Sequence, residues 1–303
     1  MKTRFSLIFI SFFIFSIVNA QADLFKVIAS KGGLVKSSDN WSTLISGKKI
    51  LANSQIKVLK GGYVSLLHKS GKSIELKNEG EYDANKLAAN INTKQQTYSQ
   101  KYASYVMTGM SGKKGSNQSM DDTGSVTRGK DKKKVGIPNS IRLFASSETN
   151  VDSKAANVIK WTELKDVNSY KVQITDLINT VLYEKVVITN SISFNDVNTN
   201  LKAGKKYILL VSVENNKDFT PAKCTLKVLS EFETASINDE LNNLKNELDS
   251  ESAIDNLIFA AFYEEKGLFL DAFKHYEKAL KLAPNVRDYK KAYDDFTIRI
   301  GMD

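Results

Sequence analysis

With 303 residues, 42% of them hydrophobic and 25% charged, the chain has an ordinary globular composition and room for two or three modest domains. Two histidines (His68, His275), one cysteine (Cys224) and three prolines exclude zinc ribbons, disulfide scaffolds and most histidine-based catalytic centres. The net charge of +9 raises nucleic acid or an anionic surface as a partner, and the position of that charge along the chain decides between them.

Residues 1–20 have the three parts of a signal peptide: Lys2 and Arg4, an apolar run from Phe5 to Val18, and Val18-Asn19-Ala20 before Gln21. The run has 14 residues, whereas a spanning helix needs roughly 20, so cleavage after Ala20 is favoured over an uncleaved anchor. The expectation is an exported protein, periplasmic or at the cell surface or secreted. Export removes ATP, reduced nicotinamide cofactors and most nucleic acid as partners. Cys224 lies in an alternating strand pattern and reads as a buried small hydrophobe.

Residues 21–83 read as short strands, at 24–28, 55–59, 63–67 and 73–76, separated by Gly32-Gly33, Gly47, Gly61-Gly62, Gly71 and Gly80. Turns at this frequency predict a small β-barrel or β-roll. The text Gly33-Leu34-Val35, Trp41-x-x-Leu44-x-x-Gly47-x-x-Ile50, Ile56-x-Val58 and Val64-x-Leu66-x-x-x-x-Gly71-x-x-Ile74-x-Leu76 resembles the FecR-type domain of the bacterial periplasm. An SH3-like barrel writes nearly the same pattern. The FecR resemblance implies a place in signalling chains that sense siderophore receptors.

Residues 84–108 change period, and Leu87, Ile91, Tyr98, Tyr102, Tyr105 and Val106 predict one amphipathic helix with a tyrosine stripe. It either caps the barrel or offers Tyr98, Tyr102 and Tyr105 to a glycan or protein partner. Residues 109–136 lose periodicity and carry Lys132-Lys133-Lys134, as expected of a flexible basic linker that is a spacer or an anionic-wall tether.

Residues 137–235 return to alternation with about seven strands, at 141–144, 158–161, 170–174, 181–188, 191–194, 207–213 and 224–228, a count that suits an immunoglobulin-like β-sandwich. Ile159-x-Trp161 followed by Val167-x-x-Tyr170-x-Val172-x-Ile174, and Leu201-Lys202-Ala203-Gly204-Lys205-Lys206-Tyr207, resemble fibronectin type III. The resemblance implies a core role for Trp161 and a corner locked by the Tyr207 hydroxyl. No adhesive loop motif is visible, so a structural or spacer role is expected.

Residues 236–303 read as helical, starting with Ser236 as N-cap and Asp239 and Glu240 in the first turn. Ala260, Tyr263, Gly267, Phe269, Ala272, Tyr276, Ala279 and Pro284 have the spacing of one tetratricopeptide repeat, and a helix over 286–300 resembles the start of the next. One repeat is fewer than an independent stack needs, so neighbouring helices, the sandwich or a second copy of the chain must cover it. The resemblance implies a peptide-holding face, for which Asn256, Glu264 and Glu265 on the first helix and Lys290 and Lys291 on the terminal helix are the candidates.

No phosphate loop, serine elbow or paired metal histidines occur in the sequence, and no catalytic, metal or cofactor residue is assigned. His68 and His275 are both expected at the surface. Residues 21–108 carry +7, the linker +4, the sandwich +1 and the helical end −5. That division favours an anionic envelope contact, or pairing of the two ends within or between chains, over a nucleic-acid groove. The expectation is a multidomain all-β plus all-α, non-enzymatic envelope scaffold that binds proteins or wall without a cofactor. The alternative is a FecR-like sensory component of an envelope signalling or transport system.

Overall fold

The structure is a computed structural model, and it describes residues 23–37, 39–91, 97–110, 140–154, 157–197 and 201–302. The signal-peptide segment, and the linker apart from its first two residues, lie outside the described residues. The chain is β-rich first and helical last.

Six strands build the first sheet: β1 (Asp23–Lys36), β2 (Trp41–Thr43), β3 (Lys49–Leu51), β4 (Gln55–His68), β5 (Ser73–Leu76) and β6 (Gly80–Asp83). β1 and β4 pair antiparallel along their whole length, β2 and β3 extend β1, and β5 and β6 extend the two halves of β4. Two expectations are corrected. The sheet does not close into a barrel among the described residues, and 55–59 and 63–67 are one strand instead of two. The reason lies in Gly32 (φ 63°) and Gly61 (φ 66°), which bend the paired strands without reversing them. At neighbouring Gly62 a Cβ would stand 2.6 Å from the Leu59 carbonyl oxygen, so the bend requires glycine there. Phe25, Val27, Ile50, Ile56, Val64 and Leu66 fill the inner face.

The expected single helix over 84–108 is two: α1 (Ala84–Ala89) and α2 (Thr97–Met110). Asp83 caps α1 by accepting the Lys86 N–H at 3.0 Å. α1 stays on the first sheet, but α2 leaves it and lies against the C-terminal helices.

The second β unit holds β7 (Glu148–Val151), β8 (Val158–Lys160), β9 (Tyr170–Thr175), β10 (Val181–Val187), β11 (Ser191–Ser193), the short α3 (Phe194–Val197), β12 (Lys206–Val213) and β13 (Ala222–Val228). Five of these strands form one sheet in the order β10-β9-β12-β13-β7, and β11 and β8 form a second. Alternating side chains of both sheets, among them Ile159, Trp161, Ile192, Val172, Leu209 and Leu226, enclose one core. Residues 141–144, expected as a strand, make only an isolated bridge from Leu143 to Trp161, whereas 148–151 pairs parallel to β13. Glu-Thr-Asn-Val carries no strand signal of its own, and its pairing is imposed by β13 and by the helical turn packed on it. The Tyr207 hydroxyl accepts the Lys202 N–H at 2.8 Å across the turn that contains Gly204 (φ 75°). Cys224 is buried, and desolvation pushes its thiol up to about 12.

The helical end comprises α4 (Glu231–Glu247), α5 (Ala253–Glu265), α6 (Phe269–Leu282) and α7 (Arg287–Arg299). α4 begins at Ser230 and not at Ser236, because Ser230 and Glu233 exchange side-chain and backbone hydrogen bonds in a capping box. The donors of Lys227 and Ser230 hold the Glu233 carboxyl down at about 2.

The helical end is clamped between the two β units. On the first seam, the Tyr63 and Tyr289 hydroxyls lie 2.8 Å apart, the Tyr289 hydroxyl lies 2.9 Å from Ser65 Oγ, and Glu75 accepts from Tyr63 (2.5 Å) and from the Ile254 N–H (2.9 Å). On the second seam, the Gly267 carbonyl accepts the Asn150 N–H at 2.8 Å, Lys160 pairs with Glu277 at 2.9 Å, and Phe144 packs on Phe273. Gly267 (φ 67°) therefore serves more than the α5–α6 turn, because a Cβ there would lie 2.9 Å from Asn150 Nδ2.

Tyr207→Phe deletes one hydrogen bond to a backbone N–H while keeping the ring in place. It is expected to lower the unfolding free energy by about 1 kcal/mol in urea denaturation, with an unchanged m-value.

Candidate functional site

α4, α5 and α7 form a groove that is filled by the chain's own α2, and of the candidate binding residues of the helical end Glu264 and Glu265 meet it there. α2 seats Tyr102, Ala103, Val106 and Met107 in the shared core, with the Tyr102 ring edge-on to Phe262 at 5.4 Å. Several of its polar contacts with the helical end go to glutamates. The Ser99 N–H donates to Glu247 (2.7 Å), Lys101 pairs with Glu265 (2.7 Å), and Tyr102 and Tyr105 donate to Glu240 and Glu264 (both 3.3 Å). This is where the basic N-terminal and acidic C-terminal parts of the chain meet.

Glu264 is the centre of the groove. Its carboxylate is almost fully buried and receives Arg299 Nε (2.6 Å) and Nη2 (3.0 Å), the Tyr276 hydroxyl (3.0 Å) and the Tyr105 hydroxyl (3.3 Å). Four helices, α2, α5, α6 and α7, thus converge on two oxygens. The paired charges push Arg299 upward and keep it a permanent cation. Burial, and then the nearby glutamates, raise the Tyr102, Tyr105 and Tyr276 phenols, so they act as neutral donors.

The structure corrects the expected positions of several residues. Asn256 and Glu264 do not lie on a polar outer face: Asn256 is fully buried, donates to the Ser250 and Ser252 carbonyls (2.6 and 2.8 Å) and lies 2.9 Å from His275 Nδ1. Tyr102 is buried, and Tyr98 and Tyr105 are partly buried against the helical end, so the tyrosine stripe faces the interior. Among the candidates on α5, Glu265 alone is exposed, and it holds Lys101. Lys290 and Lys291 pair with Asp294 and Asp295 of their own helix. Of the residues read as structural, Trp161, Tyr207, Ala272, Tyr276 and Ala279 are buried, Gly267 lies in the α5–α6 turn, and Pro284 is exposed.

Neither histidine is a surface residue. His68 is buried at the end of β4, edge-on to Phe25, with its Nδ1 accepting the Ser70 N–H at 3.2 Å. Burial, with Lys69 nearby, lowers its basicity. His275 sits between Phe259 and Tyr263, each with ring centroids 5.2 Å from it, and burial drives it down to about 4. Both are therefore neutral near pH 7. An open hollow of about 410 Å³ between β13 and the start of α4, lined by Asp152, Lys154, Glu231 and Asn238 among others, contains neither histidine nor cysteine. Among the described residues, no group of three or more His, Cys, Asp and Glu side chains is placed to hold a metal ion, and no helix is long and apolar enough to cross a membrane.

Sequence reasoning missed two features. The first-seam network of Tyr63, Ser65, Glu75 and Tyr289 joins residues far apart in the chain, and nothing in the local pattern marks it. The second is an apolar strip on β10 and the turn before it, where Leu177, Ile178, Val181, Val186 and Ile188 are all exposed. Its signal was present, because Val181 to Ile188 has apolar residues at both parities, which a strand with one solvated face does not need. No protein-family model matches the chain, and no curated protein matches it.

Glu264→Ala leaves Arg299 without its counter-charge and deprives Tyr105 and Tyr276 of an acceptor. The variant is expected to lose about 2–3 kcal/mol in urea denaturation, below the range for a fully buried pair because Arg299 is partly exposed. Glu264→Gln, which retains one acceptor oxygen, is expected to lose less.

Proposed function

We propose that the protein is an exported, non-enzymatic scaffold of the cell envelope, binding other proteins or wall polymer. The signal-peptide pattern of residues 1–20 supports export. The polar side chains that sequence reasoning offered for binding are spent largely on holding the chain's own units together, which suits a rigid binding body. In this reading the first sheet is FecR-like or SH3-like. The second unit is a fibronectin type III-like sandwich, supported by its strand order, the buried Trp161 and the Tyr207–Lys202 corner. The α5–α6 hairpin is tetratricopeptide-like, supported by Ala260, Ala272 and Ala279 where the helices approach.

The observation that carries the binding role is the apolar strip on β10. Ile178 and Ile188 are 82% and 84% exposed, and β10 is an edge strand of its sheet, with β9 alone beside it among the described residues. An edge strand presents unpaired backbone donors and acceptors, and exposed apolar side chains gathered beside them mark a contact surface for an extended segment of a partner. The bulge between Val181 and Tyr183, and Lys185 in mid-strand, restrict indiscriminate pairing. Because α2 fills the groove of the helical end, this reading moves the main contact surface from the repeat to β10.

Photo-crosslinking residues placed at positions 178 and 188 in intact cells are expected to capture a discrete envelope component, and one at exposed Lys217 to capture none. Ile178→Asp combined with Ile188→Asp should reduce the adduct at least several-fold with the thermal midpoint unchanged. Adducts no stronger than at position 217 would refute the assignment of the surface.

A further inference from the structure

Of the carboxylates at the packed interfaces of the helical end, Glu264, Glu265 and Glu277 pair with cations, whereas Asp255 and Asp271 do not among the described residues. Glu264 is neutralised by Arg299. Asp255 is 1% exposed, accepts from the Ser73 hydroxyl and from the Asp249 N–H (2.8 Å), and enters no ion pair among the described residues. Asp271, in the first turn of α6, accepts from Asn157 Nδ2 at 3.0 Å and likewise enters none. Each lies on a different seam. Asp255 ties α5 to β5 of the first sheet, and Asp271 ties α6 to the chain just before β8.

The groups around them do not supply the missing charge. Facing Asp255 are Ser73, Lys72 and Glu75 from the first sheet and Tyr289 from α7, while Ser252 and Asp249 belong to its own segment. Lys72 and Glu75 act in opposite senses, and desolvation outweighs the hydrogen bonds, so the carboxyl is pushed up to about 6. Facing Asp271 are Asn157 and Asp152 from the second β unit and Tyr263 from α5, with Lys274 on its own helix. Here too burial dominates and the carboxyl is pushed up to about 6.

We propose that these two carboxylates make the packing of the helical end on its two β units proton-linked, the seams being tight when the carboxyls are neutral and loosened when they ionise. A neutral carboxyl bridges its seam as an uncharged hydrogen-bonding group. An ionised one leaves a negative charge between packed elements without a counter-cation. The sign follows from linkage. A carboxyl that holds its proton more tightly in the packed state adds stability that is complete below its ordinary value of 3.8 and is lost as pH rises through about 6. The device would let a change of pH outside the cytoplasm alter how the three units are held, without any change in the core of either β unit.

Hydrogen exchange of the full chain tests this, with rates corrected for the intrinsic effect of pH. Between about pH 5 and about pH 7.5, protection of the seam amides at 73–76 and 253–258, and at 148–151 and 267–272, is expected to fall about tenfold. Strands β9 and β12, whose ladder bonds lie within the second sheet, should not change. Asp255→Asn should abolish the response at the first seam only, and Asp271→Asn at the second only. No response, an equal response in β9 and β12, or a response that survives in both asparagine variants would overturn the proposal. Should a variant fail to fold, the wild-type contrast between seam and sheet amides still decides it.

Discussion

The structure depends on one constraint, the need to cover α5. Eleven of its thirteen residues are buried, and its apolar side chains point in every direction instead of along one stripe. A helix of that kind cannot stand at the edge of a bundle. A hairpin with α6 covers one side, and the short stack that ends with α7 cannot supply the rest. The remaining cover comes from α2 and from β5 of the first sheet, so units distant in sequence are recruited around one helix. The surfaces that the repeat would otherwise leave open are consumed in this closure.

Charge and hydrogen bonding settle which elements do the covering. The helical end is acidic and the N-terminal part basic, and α2 brings tyrosine hydroxyls, a lysine and a first-turn N–H to a row of glutamates. Glu264 is where this is concentrated, since three donor side chains from three other helices reach one carboxylate. In a low-dielectric interior such a group is costly if a donor is missing and specific if all are present. The same donors are unsuited to proton transfer near neutrality, because burial raises the phenols and lowers the histidines away from that range.

The order of β then α, the strand–turn rhythm of both β units and the α5–α6 hairpin were legible in the sequence, because two-residue alternation, turn glycines and small residues at helical spacing are local signals. So were the core positions of Trp161, Ala260 and Ala272. Local signals failed where a longer-range partner outweighed them. Gly61-Gly62 reads as a turn, yet it is a bend in a strand because β1 carries a matching glycine opposite. Residues 148–151 read as loop, yet they become a strand because β13 and Gly267 offer partners for their backbone.

The sequence by itself determined which residues are apolar, where the chain changes period and how its charge divides, all of which follow from side-chain chemistry in short windows. Only the tertiary structure decided which faces are open. Asn256 and Glu264 look like surface polar residues in a helical pattern, and both are buried because other elements of the chain cover them. Val186 and Ile188 look like strand core, and both are exposed because β10 is an edge with nothing beyond it among the described residues. Burial is a property of what lies on the other side of a side chain, and that partner is set by long-range packing that no local pattern encodes.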